Sequence, residues 1–165
     1  MTRNLHIRPA HGLDTNGMAE LLCQIIRIGG TTAMTRPVTA VDIAGWMARA
    51  PGKSAWHVAE DATGQILGFQ WIEPAEYLPP EAAEIATFVA PGRHGLGIGS
   101  NLFRATQAAA RDLGYAWINA NIRADNSSGL TYYQSRGFED YGVKPGFRLE
   151  NGQTVDKVLK RYALD

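Results

Sequence analysis

Apolar positions along the chain switch between a period of two and a period near four, and the switches mark its elements. Leu5, His6, Ile7 and Arg8 alternate and predict a short first strand, punctuated by Pro9 and Gly12. Met18, Leu21, Leu22, Ile25 and Ile26 then fall on one stripe. That stripe predicts a helix capped by Asp14 or Thr15 and ended by Gly29 and Gly30. Residues 31–37 read as a loop, after which Thr39 starts a second helix carrying Val41, Ile43, Trp46 and Met47, closed by Pro51 and Gly52. Three strands follow. Residues 55–59 alternate, 61–64 make a hairpin turn, and 66–72 form a nearly continuous apolar run, as expected of a strand covered on both faces. The third, 84–90, is reached through the loop at Pro79 and Pro80. A long helix is predicted with Ile98, Leu102, Ala105, Ala109 and Leu113 on one face and Gly114 as its cap. Residues 116–122 read as a fifth strand and 126–136 as a helix stopped by Gly137. Final strands lie around 138–143 and 155–162, with a loop at 150–153.

The predicted order is strand, two helices, three strands, helix, strand, helix, two strands. It argues for an α/β fold of the α+β kind: a mixed, mostly antiparallel central sheet of about seven strands flanked by about four helices, with helices on both faces. A regularly alternating doubly wound fold does not fit this order.

Composition narrows the class. A length of 165 residues suits one domain spanning 1–165, and 45% hydrophobic with 19% charged residues leaves no segment disordered by composition. Sixteen basic residues balance sixteen acidic ones, so no broad basic field offers itself to nucleic acid. Cys23 is the single cysteine, which excludes an internal disulfide and agrees with a reducing compartment, the cytoplasm. It sits on the apolar stripe of the first helix, as core. The first seven residues carry Arg3 and His6 but no apolar core of signal-peptide length, and no apolar run approaches the ~20 residues of a membrane span. His6, His11, His57 and His94 show no metal spacing, so no metal is expected.

The candidate chemistry lies in two clusters. The first is Pro91-Gly92-Arg93-His94-Gly95-Leu96-Gly97-Ile98-Gly99-Ser100, between a strand and an amphipathic helix. Glycines let a ligand approach the backbone, successive N–H groups converge on an anion, and a helix N-terminus adds unsatisfied donors. This is chemistry for a phosphate or pyrophosphate, although a glycine-rich helix start with no ligand looks the same. The Walker pattern is absent for want of Gly-Lys-Ser/Thr. The dinucleotide fingerprint fails because Ser100 stands where its last glycine belongs and the following strand carries Asn119 and Asn121 but no acid. The second cluster is Asn126-Ser127-Ser128-Gly129-Leu130-Thr131-Tyr132-Tyr133-Gln134-Ser135-Arg136-Gly137-Phe138. On its own chemistry Asn126 is also a good helix N-cap, and Tyr133 also a core aromatic. Tyr132 reads as a core aromatic with its hydroxyl at the surface.

Together the two clusters resemble the GNAT acetyltransferase superfamily. Its loop pattern is Arg or Gln, two residues, Gly, one residue, then Gly or Ala; the run from His94 to Gly99 fits, with His94 in the Arg/Gln place and Arg93 one position early. Asn126, Tyr133 seven residues on, and the pair Gly137-Phe138 match the later signature. Pro37, Thr39, Trp46, the strand from Glu84 to Val89 and the Val155-Asp156 turn are most similar to the phosphinothricin-type amino-acid acetyltransferases.

The resemblance implies a GNAT-like acyl-CoA fold, acetyl-CoA as co-substrate, and transfer of its acetyl group to the primary amine of a small molecule by direct attack. It implies that the backbone of His94, Gly95, Leu96, Gly97, Ile98, Gly99 and Ser100 cradles the pyrophosphate. It further implies that Phe88 and Val89 pair with the pantetheine arm, that Val89 donates to the oxyanion, and that Asn126 bonds the arm. Tyr133 then serves the departing thiolate, and Glu84 is the base, with Glu73 a second candidate acid. Thr31, Thr32, Met34 and Arg36 are expected to line the acceptor site, joined by Trp71, Glu73 and Tyr77; Arg36 can receive a carboxylate or stand solvated. A homodimer is also implied. The rival readings are a protein or peptide acetyltransferase on the same scaffold and a non-enzymatic acyl-CoA-binding module.

Overall fold

The computed structural model describes residues 5–93 and 96–165. It holds strands β1 (His6–Pro9), β2 (Ala55–Glu60), β3 (Ile66–Glu73), β4 (Ala82–Val89), β5 (Trp117–Arg123), β6 (Glu139–Arg148) and β7 (Thr154–Ala163). Its helices are α1 (Thr15–Ile28), α2 (Ala40–Ala48), α3 (Ile98–Asp112) and α4 (Ser127–Ser135). The strands form one sheet in the order β1-β2-β3-β4-β5-β7-β6, and every neighbouring pair is antiparallel except β4–β5.

Two apolar layers fix the helices. Met18, Leu22 and Ile43 of α1 and α2 pack on Trp56, Phe69, Trp71 and Phe88 of one sheet face. Phe103 and Tyr133 of α3 and α4 pack on Ile72, Ile85, Ile118 and Ile122 of the other. β3 lies between both layers, and it is buried without a break from Leu67 through Ile72, Gln70 being the one polar residue in that stretch. Cross-strand partners Trp56 and Trp71 stack with ring centres 4.1 Å apart. Gly68 lets α3 sit close, since a Cβ there would lie 2.9 Å from Ile98 Cγ2 and 3.0 Å from the Phe88 carbonyl.

Some local expectations need correction. β4 starts at Ala82 rather than 84 because Ala82 and Ala83 pair with Trp117 and Ile118, a long-range ladder that alternation does not reveal. β6 runs on to Arg148 as an outer strand, and its Pro145 and Gly146 fall within a register shift between Lys144 and Phe147. On α3 the buried stripe is Ile98, Leu102, Phe103, Thr106 and Ala110. Ala105, Ala109 and Leu113 flank it half-buried, since Phe103 and Ala110 are the residues that join the core against the sheet. Asp14 precedes α1 but makes no cap bond to it. Its carboxylate instead accepts two bonds from the Arg8 guanidinium, each 2.8 Å, and one from the His11 N–H, which hold its pKa below the ordinary range.

One irregularity positions the site. β4 and β5 pair only through Ala82↔Trp117, Ala83↔Ile118 and Glu84↔Asn119. β4 continues beside β3 to Val89, and β5 continues beside β7 to Arg123. Beyond Glu84 and Asn119 the two strands part, and a wedge opens in the middle of the sheet.

Candidate active site

A cavity of about 880 Å³ occupies the wedge, within the size range of small-molecule sites. It is lined by β4 from Glu84 to Val89, by Asn121, Ile122 and Arg123 of β5, and by the start of α3, α4 and the loop after α1. The two sheet faces contribute different chemistry to it.

On the α3 and α4 side the walls are largely backbone. Gly97 has φ +81°, a left-handed conformation that favours glycine, and caps α3. The first intrahelical bond runs from the Asn101 N–H to the Gly97 carbonyl, 3.0 Å, so the N–H groups of Ile98, Gly99 and Ser100 have no acceptor within the helix. Gly99 is a glycine for another reason: a Cβ there would lie 2.6 Å from Tyr132 Cε1. The Tyr132 hydroxyl donates to the Gly99 carbonyl (2.7 Å) and accepts from Gln70 Nε2 (3.1 Å). It is therefore internal and not at the surface, and burial pushes its pKa up to about 12. Leu96 packs with Leu67, Ile98 and Leu102 instead of lining the cavity. His94 and Gly95 lie outside the described residues. Arg136 donates to Ser100 Oγ at 2.6 Å and leaves its buried Nε without a partner.

β4 presents an open edge to the same space. The Ala90 N–H donates to Leu67 of β3 at 2.8 Å, so by strand alternation the N–H of Val89 points away from β3, into the wedge. Phe88, expected to pair with the arm, does not turn a hydrogen-bonding group to the wedge: its ring sits among Phe69 and Trp71, and its N–H and carbonyl, two residues from those of Ala90, turn toward β3. Tyr133 is buried, with its hydroxyl 2.8 Å from Thr87 Oγ1. Desolvation, reinforced by Tyr132, raises its phenol well above the ordinary value. Asn126 is the N-cap of α4, accepting from the Gly129 N–H at 3.0 Å, and also donates to the Thr31 carbonyl at 3.1 Å.

On the α1 and α2 side the walls are side chains. The Glu84 carboxylate accepts from the Tyr77 hydroxyl and from Asn119 Nδ2, 3.3 Å. Tyr77 in turn accepts from Asn119 (2.8 Å) and Asn121 (3.2 Å), and its phenol is raised by burial and by Glu84. Tyr77 thus lies outside the cavity lining and acts on Glu84 from behind. Glu73, directly opposite Glu84 in the ladder, is committed to the Arg49 guanidinium and the Trp71 indole N–H. Thr31, Thr32 and Met34 line the cavity. Arg36 does not: it is exposed and pairs with Glu150, because the loop carries it outward.

Sequence reasoning missed Arg49, Arg123 and Lys157, all of which line the cavity. A signal for Arg123 was present. Asn119, Asn121 and Arg123 place polar groups at every second position of an otherwise apolar strand, so they share one face. Arg123 is buried, donates to the Thr32 carbonyl at 2.9 Å, and is paired with Asp125. Among the described residues no group of three or more His, Cys, Asp or Glu gathers to hold a metal.

The chain resembles known proteins throughout its length. The family model described as an acetyltransferase (GNAT) domain matches residues 52–140. A phosphinothricin N-acetyltransferase of Streptomyces coelicolor is 31% identical over 149 residues, 86% of either chain. The solved structure of a GNAT superfamily phosphinothricin acetyltransferase from Sinorhizobium meliloti, in complex with AcCoA, superposes with a TM-score of 0.86 at 20% identity over 98% of this chain and 89% of that one. A ribosomal-protein-alanine N-acetyltransferase from Brucella melitensis gives 0.86 at 22% identity over 96% and 99%. The last two likenesses concern the fold.

Proposed function

Because the chain belongs to the GNAT acetyltransferase family, and so is an acetyl-CoA-dependent acetyltransferase, we propose that it acetylates the primary amine of a small molecule, an amino acid or an analogue, by direct attack. The observation that carries this reading is the β4–β5 wedge, which brings Glu84 from one part of the sheet and Tyr133 from the other face to a single cavity. The Streptomyces coelicolor relative, named for a small-molecule acceptor, supports the substrate class.

The residues fit acetyl-CoA. The N–H groups at the start of α3, which have no acceptor within the helix, and Arg136 line the place for phosphates, and the open β4 edge suits an amide-bearing arm laid alongside as an added strand. When bound, acetyl-CoA supplies an activated acyl carbon and a thiolate leaving group. Gly97, Ile98, Gly99 and Ser100 would then hold phosphate through their backbone, with Val89 aligning the arm; His94, Gly95 and Leu96 belong to the same proposed loop. Asn126 would lend its amide to the arm while capping α4.

Glu84 removes a proton from the acceptor ammonium, or from the attacking nitrogen, directly or through water. Tyr77 and the two asparagines fix its carboxylate. The Val89 N–H meets the developing oxyanion. Tyr133, kept protonated by its raised pKa, gives its proton to the departing sulfur while Thr87 orients the hydroxyl. Thr32 and Met34 shape the acceptor side; Glu73 serves there as the partner of Arg49 and not as base.

In this reading the protein works in the cytoplasm, in keeping with its free Cys23, whose thiol donates to the Val38 carbonyl. No helix among the described residues is long and apolar enough to cross a membrane. A homodimer is part of the proposal: Tyr141, Val143 and Phe147 stand exposed on the outer strand β6. The test is thiol release from acetyl-CoA across a panel of small amines. Turnover with amino acids or analogues is expected; cofactor binding without turnover of any amine would leave only an acyl-CoA-binding module.

A further inference from the structure

Three cations stand in one row across the far end of the sheet. Arg123 of β5 is paired directly with Lys157 of β7, and Lys157 directly with Lys144 of β6. Residues directly opposite share a sheet face, and like charges so placed repel. A stable fold tolerates such a row when opposite charge neutralises it. Asp125 neutralises Arg123, with bonds of 3.0 and 2.8 Å. Among the described residues no carboxylate comes within ion-pair reach of Lys157 or Lys144. Their ammonium groups rest on aromatic faces instead, Lys157 at 4.0 Å from the Phe147 ring centre and Lys144 at 3.8 Å from that of Tyr77. The neighbouring acids are committed: Asp156 accepts from the Gly146 N–H, Asp140 from Lys160, and Glu150 from Arg36.

Lys157 and Arg123 line the same cavity as Glu84, and the ring under Lys144 belongs to the tyrosine that holds Glu84. This row is on the face of Glu84 and Asn119, opposite the face on which α3 presents its backbone donors to phosphate. We propose that Lys157, backed by Lys144, is the carboxylate anchor of the acceptor, so that the substrate is a free amino acid whose amine meets Glu84 while its carboxylate meets Lys157. The inference rests on Glu84 being the base that receives the amine. It replaces Arg36 as carboxylate receptor, since that side chain points to solvent. Burial lowers the Lys157 pKa, the Glu84 carboxylate opposes that, and Lys144 and Arg123 add to it; a bound carboxylate relieves the penalty.

The experiment compares free L-amino acids with their C-terminal amides as acceptors, at fixed saturating acetyl-CoA, for the parent protein and for Lys157→Met and Lys157→Arg. The parent is expected to favour acids over amides in kcat/KM by about ten-fold to a hundred-fold, the range of one charge-assisted bond. Lys157→Met should collapse that ratio through a higher KM for the acids, and Lys157→Arg should restore most of it. Equal use of acids and amides by the parent, or a preference that survives in Lys157→Met, overturns the anchor. If no amine is acetylated, the base assignment fails on its own. The anchor is then read by calorimetric binding of N-acetyl amino acids against N-acetyl amino-acid amides, where equal affinity overturns it. Better use of peptide N-termini than of free amino acids also overturns it.

Discussion

The two sides of the wedge are built from different materials. Toward α3 and α4 the groups that matter are backbone N–H groups: those of Ile98, Gly99 and Ser100 at a helix start, and that of Val89 at a strand edge. Toward α1 and α2 they are side chains from separate strands and loops: Glu84, Asn121, Arg123, Lys157 and Thr32. Backbone donors need glycines and a helix start in sequence, so that side is a local motif. A side-chain pocket is assembled by the register of distant strands, so that side is scattered along the chain. The first suits a ligand common to many proteins, and the second can change its acceptor without disturbing the first.

The largest expected effect lies on the side-chain wall. Glu84→Gln keeps the shape and most hydrogen bonds but removes the base, so kcat/KM should fall by about 10²–10³-fold. A rate within about three-fold of the parent, well short of general-base catalysis, would shift that role to a water chain. Tyr133→Phe comes next, with kcat lowered about thirty-fold and the KM for acetyl-CoA little changed, since a proton donor acts in the transition state. The pH dependence has a definite sign. Burial raises this phenol above its ordinary value, so the proton-bearing form persists as pH climbs, and kcat should not decline between pH 7 and about 10 on its account. A decline there that vanishes in Tyr133→Phe would contradict the assignment.

A smaller effect separates two glycines on the backbone wall. Gly97→Val forces a side chain into the left-handed region, at about 1–2 kcal/mol, and should raise the dissociation constant for acetyl-CoA about ten-fold as the loop relaxes. Gly99→Ala instead meets Tyr132 and should lower Tm more than affinity, by overpacking worth about 1–3 kcal/mol. Titration calorimetry and thermal melts together distinguish the two. The smallest effect is that of Arg36→Ala, whose exposed ion pair with Glu150 contributes about 0–1 kcal/mol; activity should stay within two-fold. A large loss there would return the carboxylate to Arg36.

The same contrast explains what could be read from the chain alone. Strand and helix order followed from periodicity because most elements bury one face or both, as β3 does. The end of β6 escaped because its residues 144–148 are mostly exposed and interrupted by Pro145. The glycine run and the Asn126 to Phe138 cluster were legible because each is contiguous. Glu84 was found as an acid on the strand before that run. Lys157 could not be found that way: nothing near it in sequence marks it, and only the β5–β7–β6 register places it beside Arg123 and Lys144. Arg36 was chosen because it is a cation in the right loop, but the loop presents Thr31 to Met34 to the cavity and turns Arg36 outward. Tyr132 and Tyr133 are adjacent, and composition cannot tell which of two buried phenols reaches Thr87 and which reaches Gly99.

The central claim is that the two sides of the wedge act on both substrates at once, with no acyl group parked on the protein. Initial rates measured with acetyl-CoA and an acceptor amine varied together test it most directly. Intersecting double-reciprocal lines are expected, as a ternary complex requires. Parallel lines, the mark of a covalent acyl-enzyme released before the amine enters, would contradict it.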